Sequence, residues 1–183
     1  MQNASPDAYA FYNHVAGAGT NQMTFGLRYA GNRTGWIYRL ETSLQTGERG
    51  GQDVTAILLG ARLGRKVHDK ATVTLWYDYL SGDDNATDGK IKVFDTLFGT
   101  NHKFYGFADL FLNIPAHTGG LGLQDIAVKA STTPRPDVTL GFAVHSFLLA
   151  KKGALTSGHL GEEVDLSCTY RYTGGVALVA GFS

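Results

Sequence analysis

The most constraining feature of this 183-residue chain is a period-two alternation of apolar and polar residues that recurs along most of its length. Successive side chains of a β-strand point to opposite faces, so the alternation predicts strands with one apolar and one polar face. Clusters of Gly, Asn, Asp and Thr interrupt it, and helical periodicity is nearly absent. The pattern predicts about ten strands, at residues 7–14, 22–30, 34–46, 53–65, 70–81, 103–113, 123–132, 136–150, 162–173 and 175–183.

The predicted strands are long, and their two faces differ in composition. Most span 9–13 residues, and a tilted strand needs about 9–11 residues to cross a bilayer. The apolar face often ends in Tyr or Trp, as in Val73, Leu75 and Tyr77, whereas the other face holds small residues and few charges. A soluble β-sandwich also alternates, but small residues on the polar face and aromatic residues near strand ends favour a membrane barrel. We therefore predict an all-β, antiparallel, up-and-down transmembrane β-barrel rather than a β-sandwich or jelly roll.

The predicted connections alternate in length. Short turns fall at residues 30–33 and 172–175, and longer polar connections fall at residues 47–53, 81–102, 116–122 and 151–162. Short turns at one end and long loops at the other are typical of outer-membrane barrels. In this interpretation the connections 81–102 and 116–122 flank one strand and lie at opposite ends, the second being periplasmic.

Charge and cysteine content exclude several other classes. Sixteen Lys and Arg residues balance sixteen Asp and Glu residues, so the chain has no excess positive charge for binding nucleic acid. The longest apolar runs have five residues, far short of the roughly 20 needed by a spanning helix. Cys168 is the single cysteine, which excludes an internal disulfide and a cysteine-based zinc site, and we expect it to pack on a strand.

A specific set of short motifs lies within residues 77–109. The sequence Tyr77-Asp78-Tyr79-Leu80-Ser81-Gly82-Asp83 precedes Phe94-Asp95, Thr100-Asn101-His102 and Tyr105-Gly106-Phe107-Ala108-Asp109. This stretch resembles the signature of the alginate-export family of bacterial outer-membrane β-barrels, in which a Ser-Gly-Asp turn, a Phe-Asp and Thr-x-His loop and a Tyr-Gly-x-Ala-Asp strand follow one another. The family-motif residues are therefore Ser81, Gly82, Asp83, Phe94, Asp95, Thr100, His102, Tyr105, Gly106 and Asp109.

The resemblance implies a larger pore than this chain supplies. Family members form one barrel of about eighteen strands in the outer membrane of Gram-negative bacteria, and about ten are predicted here. Residues 1–5 show no basic start, and no apolar signal core follows them. We expect residues 1–183 to be one barrel domain, a fragment without its signal peptide, N-terminal strands and last strand or strands. A self-contained ten-stranded barrel is the alternative.

The polar face supplies the candidate solute path. Cations in a low-dielectric conduit raise the local concentration of carboxylates, so arginine and lysine side chains on this face could attract a polyanion such as a uronic-acid polymer. The mixed signs also allow a structural interpretation, in which most charges pair across neighbouring strands. The candidate residues are Arg28, Arg39, Glu41, Asp78, Asp109, Lys129 and Arg171.

Metal binding and catalysis are two further possible functions of the polar side chains. Asp83, Asp84, Asp88 and Asp95 cluster, but they lack the spacing of a calcium loop, so we predict a solvated loop and no metal site. We expect His102 to be a hydrogen-bonded anchor. His145 and Ser146 are adjacent on a strand and point to opposite faces, so they cannot form a nucleophile–base pair. With no nucleophile elbow, zinc motif or phosphate loop, we predict neither an enzyme nor a cofactor.

These observations predict an outer-membrane porin or channel for the passive passage of hydrophilic, possibly polyanionic solutes, in contact with outer-membrane lipid. Two alternatives stay open. One is a structural or surface-binding barrel whose lumen is plugged, and the other is a soluble β-sandwich binding module.

Overall fold

The computed structural model describes residues 3–172 and 174–183, and these residues form one large sheet. Its strands are β1 (Asn3–Val15), β2 (Thr20–Arg33), β3 (Trp36–Arg49), β4 (Gln52–His68), β5 (Ala71–Leu80), β6 (Lys90–Ile91), β7 (Leu123–Arg135), β8 (Val138–Leu148), β9 (His159–Arg171) and β10 (Ala177–Phe182). A short 3-10 turn, Ala16–Ala18, and one four-residue helix, α1 (Ile114–His117), complete the elements. The all-β prediction is confirmed. No described helix has the length and apolar character needed to cross a membrane.

The sheet is an antiparallel meander. Its order is β1-β2-β3-β4-β5-β7-β8-β9-β10, so each long strand lies beside its neighbour in the chain. The two-residue strand β6 is the exception, because it pairs in parallel with β4. This topology is that of an up-and-down barrel wall. Within the described residues, no pairing joins β1 to β10.

Tight turns connect the strands at one end of the sheet. Thr34 and Gly35 join β2 to β3, and both have positive φ, as the type I′ turn of a two-residue hairpin requires. The opposite end carries the long connections, residues 81–122 between β5 and β7 and residues 149–158 between β8 and β9. The predicted difference between the two ends therefore exists, with two corrections. The short turn predicted at residues 30–33 lies within β2, and the chain turns at residues 34–35 instead. The turn predicted at residues 172–175 includes residue 173, which lies outside the described residues. The predicted long connection 47–53 is a tight turn at Gly50-Gly51, where both residues again have positive φ.

The predicted strand at residues 103–113 is wrong. These residues form turns within the single connection 81–122, which leaves β5 and β7 paired as direct neighbours. Consequently residues 81–102 and 116–122 belong to one segment at one end of the sheet, and the second is not a periplasmic turn. Leu97 and Asp109 have positive φ, as does Gly106, and such conformations do not fit an extended strand.

The two faces of the sheet are chemically distinct, as the alternation predicts. One face, called the outer face, exposes large apolar side chains, with Leu27 62%, Leu75 57% and Leu166 50% exposed. No second sheet packs on it within the described residues, although a β-sandwich requires one. The half-buried Cys168 shares this face. The other, inner face carries the small and charged residues.

We predict that a charge on the outer face prevents stable insertion into lipid. Leu75→Arg near the middle of β5 should lower the free energy of unfolding in vesicles by about 2–4 kcal/mol, because the guanidinium loses its hydration in the hydrocarbon. Urea titration followed by tryptophan fluorescence measures this change.

The matched control for Leu75→Arg is Thr72→Arg, which places the same side chain on the inner face of the same strand. It should change the stability by much less. Equal losses in the two variants would show that the outer face does not contact lipid.

Candidate functional site on the inner face

The inner face collects most of the charged residues that the sequence assigns to the solute path. The registers place Arg28 on β2, Arg39 and Glu41 on β3, Asp78 on β5, Lys129 on β7 and Arg171 on β9, all on this face. Asp109 is the exception. It lies in the connection 81–122, not on a strand, and its carboxylate contacts the His102 ring nitrogen.

The connection 81–122, called the covering segment below, packs against the inner face. Phe94, Tyr105, Phe111 and Ile114 of the segment form the buried core with side chains of the sheet, which are Ala56, Leu80, Leu123 and Phe147. The ring centroids of Phe111 and Phe147 are 4.7 Å apart. Burial raises the pKa of Tyr105 well above its usual value, so this ring stays uncharged in the core. The apolar core of the described residues therefore lies between the segment and the sheet.

The ten family-motif residues all lie in the covering segment, where some attach it to the sheet and others join its two ends to each other. Ser81 Oγ accepts from the Ile57 amide and donates to the Lys92 carbonyl. A Cβ on Gly82 would lie 1.9 Å from the Leu121 carbonyl oxygen, so only glycine allows this close approach. The Asp83 amide donates to the Gly120 carbonyl.

The middle of the motif is attached at Asp95. Gln45 of β3 is buried, donates to the Asp95 carbonyl and accepts from the Asp95 amide at 2.6 and 2.9 Å. Arg49 adds an ion pair of 2.8 Å to the Asp95 carboxylate. Thr100 is exposed and lines a small cavity beside these contacts. The motif thus folds and seats the segment.

The acidic residues of the segment each have a local partner. Asp83 accepts from the Asn85 and Lys92 amides, Asp84 lies 4.0 Å from Lys151, and Asp88 pairs with Lys92. The Lys92 ammonium lowers the pKa of Asp88 by this hydrogen bond. Among residues 3–172 and 174–183, no group of three or more His, Cys, Asp or Glu side chains is arranged to hold a metal ion.

Most charges of the inner face are paired. Arg28 binds Asp7 of β1 through two nitrogens, at 3.0 and 2.6 Å. Arg39 binds Glu41 two residues along β3. Arg171 donates to the Thr139 hydroxyl.

A cation–aromatic cluster lies at the centre of the inner face. Arg62 Cζ is 3.2 Å and Lys129 Nζ is 4.2 Å from the centre of the Trp76 indole ring. Asp78 accepts from Trp76 Nε1 at 3.0 Å and lies 3.5 Å from Arg62. Lys129 has no carboxylate within ion-pairing distance among the described residues. Arg62 does not figure in the sequence prediction, although its even position on β4 places it on the polar face.

The covering segment reaches this cluster through Phe104. Its carbonyl oxygen accepts from Lys129 Nζ at 3.3 Å, and its ring centroid lies 5.5 Å from Arg62 Cζ. Lys129 is the central residue of β7, so the segment extends about halfway along the inner face. A groove of about 400 Å³ remains beside it, lined by Arg39, Arg62, Trp76, Phe104, Lys129 and Asp165 among others.

A second buried cluster surrounds His145 of β8. His145 Nδ1 lies 2.8 Å from Asp125 of β7, and Nε2 lies 3.8 Å from Asp165 of β9. Glu163, two residues before Asp165, accepts from the Ala108 amide of the covering segment at 2.9 Å. The sequence places Asp125, His145 and Asp165 on the polar face but does not show that they meet, because that depends on the register of three strands.

We predict that Gln45 holds the covering segment on the sheet. In Gln45→Ala, the amide and carbonyl of Asp95 lose two partly buried hydrogen bonds, each contributing about 1 kcal/mol. Trypsin should then cleave more rapidly after the exposed Lys103 in detergent-solubilised protein, as measured by mass spectrometry.

Gln52→Ala on β4 is the control, since Gln52 makes no side-chain hydrogen bond within the described residues. It should leave the cleavage rate unchanged. Equal cleavage in Gln45→Ala and the unaltered protein would contradict the assignment.

Comparison with known proteins identifies a family for the chain. The model of the alginate export family matches residues 7–169, which include most of the sheet and the whole covering segment. No curated protein matches the chain at a significant level.

Proposed function

Because the chain belongs to the alginate export family, we propose that it forms the wall of an outer-membrane channel through which hydrophilic, polyanionic solutes pass. Membership of this family supports an export role at the outer membrane in general. The all-β sheet, with an apolar outer face and a polar inner face, is compatible with that location. The passive mechanism, the Gram-negative host and the class of solute belong to our proposal.

The observation that carries the proposal is the clustering of cations at one groove. Arg39, Arg62 and Lys129 line it together, whereas Asp165 is its one acidic lining residue among those described. The other acids of the inner face lie at ion pairs or beneath the covering segment. Arg39 and Arg62 are paired with two of these acids, whereas Lys103 and Lys129 line the groove without a carboxylate partner among the described residues. Although the whole chain has no net charge, these two lysines present positive charge to a solute.

The chemistry of this cluster suits carboxylate groups on a polymer. A guanidinium is weakly hydrated and forms two parallel hydrogen bonds to a carboxylate, so Arg39 and Arg62 can exchange one carboxylate partner for another. Lys129 is held by a carbonyl and a ring, without a carboxylate to displace. A uronic-acid polymer would provide such carboxylates in series. Passage is by diffusion along the potential, with no cofactor and no catalytic step.

The covering segment supports a second candidate function. It packs on the inner face with a shared core, as expected for a barrel whose lumen is plugged and whose long loops bind surface partners. The channel proposal requires the segment to leave the groove partly open or to move. Conductance in a planar bilayer separates the two, because a permanently plugged barrel conducts no ions.

We predict that Lys129 contributes to anion preference. In Lys129→Gln, the chloride-to-potassium permeability ratio should fall by about twofold or more, because a cation is removed from a low-dielectric wall. The reversal potential of reconstituted channels under a salt gradient measures it. No carboxylate loses a partner in this variant.

Lys70→Gln is the matched control, since Lys70 lies in a tight turn away from the groove. It should leave the permeability ratio unchanged. The channel proposal fails if Lys129→Gln and the unaltered protein share one reversal potential.

A further inference from the structure

Three buried polar atoms meet beneath the covering segment without a hydrogen-bond partner. They are His145 Nε2, Glu163 Oε2 and Asp165 Oδ1. Their residues are 1%, 7% and 3% exposed. Leaving such atoms unsatisfied costs about 1–3 kcal/mol each, so the cluster requires an explanation.

The covering segment fits closely around one of these carboxylates. The Ala108 amide donates to Glu163 Oε1, and a Cβ on Gly106 would lie 2.3 Å from the same oxygen. Gly106 has φ of 85°, which glycine adopts readily. The turn at Gly106–Ala108 therefore closes directly over Glu163.

We propose that the Glu163 carboxyl group is protonated and donates a hydrogen bond to Asp165 when the covering segment is closed, and that loss of this proton releases the turn at Gly106–Ala108 from the sheet. This inference rests on the proposed function, since it assigns a regulation to the same groove. A proton between the two carboxyl groups gives Glu163 and Asp165 a hydrogen bond to each other. It also removes the repulsion between two neighbouring, largely buried carboxylates.

The surrounding charges do not replace that proton. The groups facing the pair are His145 of β8, Asp125 and Lys129 of β7, and Lys103 of the covering segment, with Arg62 and Asp78 further along the inner face. His145 lies between two carboxylates, and Lys129 is directed to Trp76 and the Phe104 carbonyl. No cation forms an ion pair with Glu163 among the described residues.

The direction of the response follows from counting protons. Opening the turn exposes Glu163 to water, where a carboxyl group is ionised at neutral pH. The closed state therefore holds one more proton than the open state, and its stability is lost as the pH rises. One proton changes the ratio of open to closed protein by at most about tenfold per pH unit.

Chemical labelling of a cysteine beneath the segment tests the proposal. Ala127 is buried on the inner face of β7, paired with His145, whereas Ser131 lies on the same face and is exposed. Ala127→Cys and Ser131→Cys are each placed in a Cys168→Ala chain, and labelling by a water-soluble methanethiosulfonate is measured in detergent from about pH 5 to about pH 9. Dividing the first rate by the second corrects for the general rise of thiol reactivity with pH, and the same ratio measured in Glu163→Gln corrects for the local surroundings of position 127.

The proposal predicts that this ratio rises with pH. Glu163→Gln should hold the ratio low at every pH, because the amide donates to Asp165 permanently and still accepts from Ala108. Asp165→Asn should act in the same way and serves if the first variant fails to fold. Glu162→Gln, which alters an exposed carboxylate beside His159, should retain the full rise.

A ratio that is independent of pH in the unaltered chain, or a rise that persists in Glu163→Gln, would overturn the proposal. A far-ultraviolet circular dichroism spectrum that matches that of the unaltered chain confirms that each variant is folded. Labelling does not require ion flow, so the two proposals are tested independently. The proton-dependent opening can be disproved while the permeability of Lys129→Gln still supports the channel. The channel can likewise be disproved while the labelling still shows the opening.

Discussion

The whole structure is organised by backbone hydrogen bonding between neighbouring strands, and the outer-membrane location proposed above makes this bonding obligatory. Backbone groups in a bilayer must pair within the protein, so a strand must lie between two neighbours. Once β2 to β9 are paired in chain order, successive side chains of each strand face opposite sides. Leu27 and Arg28, adjacent in the chain, therefore lie on the outer face and on the inner face, respectively.

The second determinant is the covering segment, which gives a sheet of this kind an apolar core. Its aromatic side chains pack against Leu80, Leu123 and Phe147 at one end of the inner face. Deeper along the strands the contacts change from apolar to polar. Lys129 meets a carbonyl, and Glu163 meets an amide. The segment is therefore attached firmly near the loop end and by titratable or displaceable contacts near the groove.

The sequence predicts the sheet well because period-two alternation is a local signal. The positions of Val73, Leu75 and Tyr77 on one face follow from spacing alone. Residues 103–113 show why the prediction failed there. Phe104, Tyr105 and Phe111 are apolar because they contact the sheet, and neither their spacing nor their composition distinguishes that packing from a strand.

The site is less predictable than the fold because it depends on register. His145 meets Asp125 and Asp165 across two strand pairs, and a shift of one residue would turn His145 to the opposite face. A tight turn at residues 136–137 sets the register of β7 and β8, whereas the longer connection 149–158 leaves the register of β8 and β9 to the pairing of the strands themselves. The sequence locates the ends of both connections only approximately. Arg62 could have been assigned to the lumen from its alternation with Leu63. The contact between Arg62 and Trp76 could not have been predicted in this way, because the two residues belong to different strands.

The most direct test of a strand that separates lipid from a polar interior is to measure which solvent surrounds successive residues of that strand. Single cysteines at positions 72 to 77 of β5, in a Cys168→Ala chain reconstituted in vesicles, are modified with a fluorophore and quenched by brominated lipid or by aqueous iodide. If β5 spans the bilayer, brominated lipid should quench the label at positions 73, 75 and 77. Aqueous iodide should quench the label at positions 72, 74 and 76. Quenching by iodide at all six positions would contradict a strand that separates lipid from a polar interior.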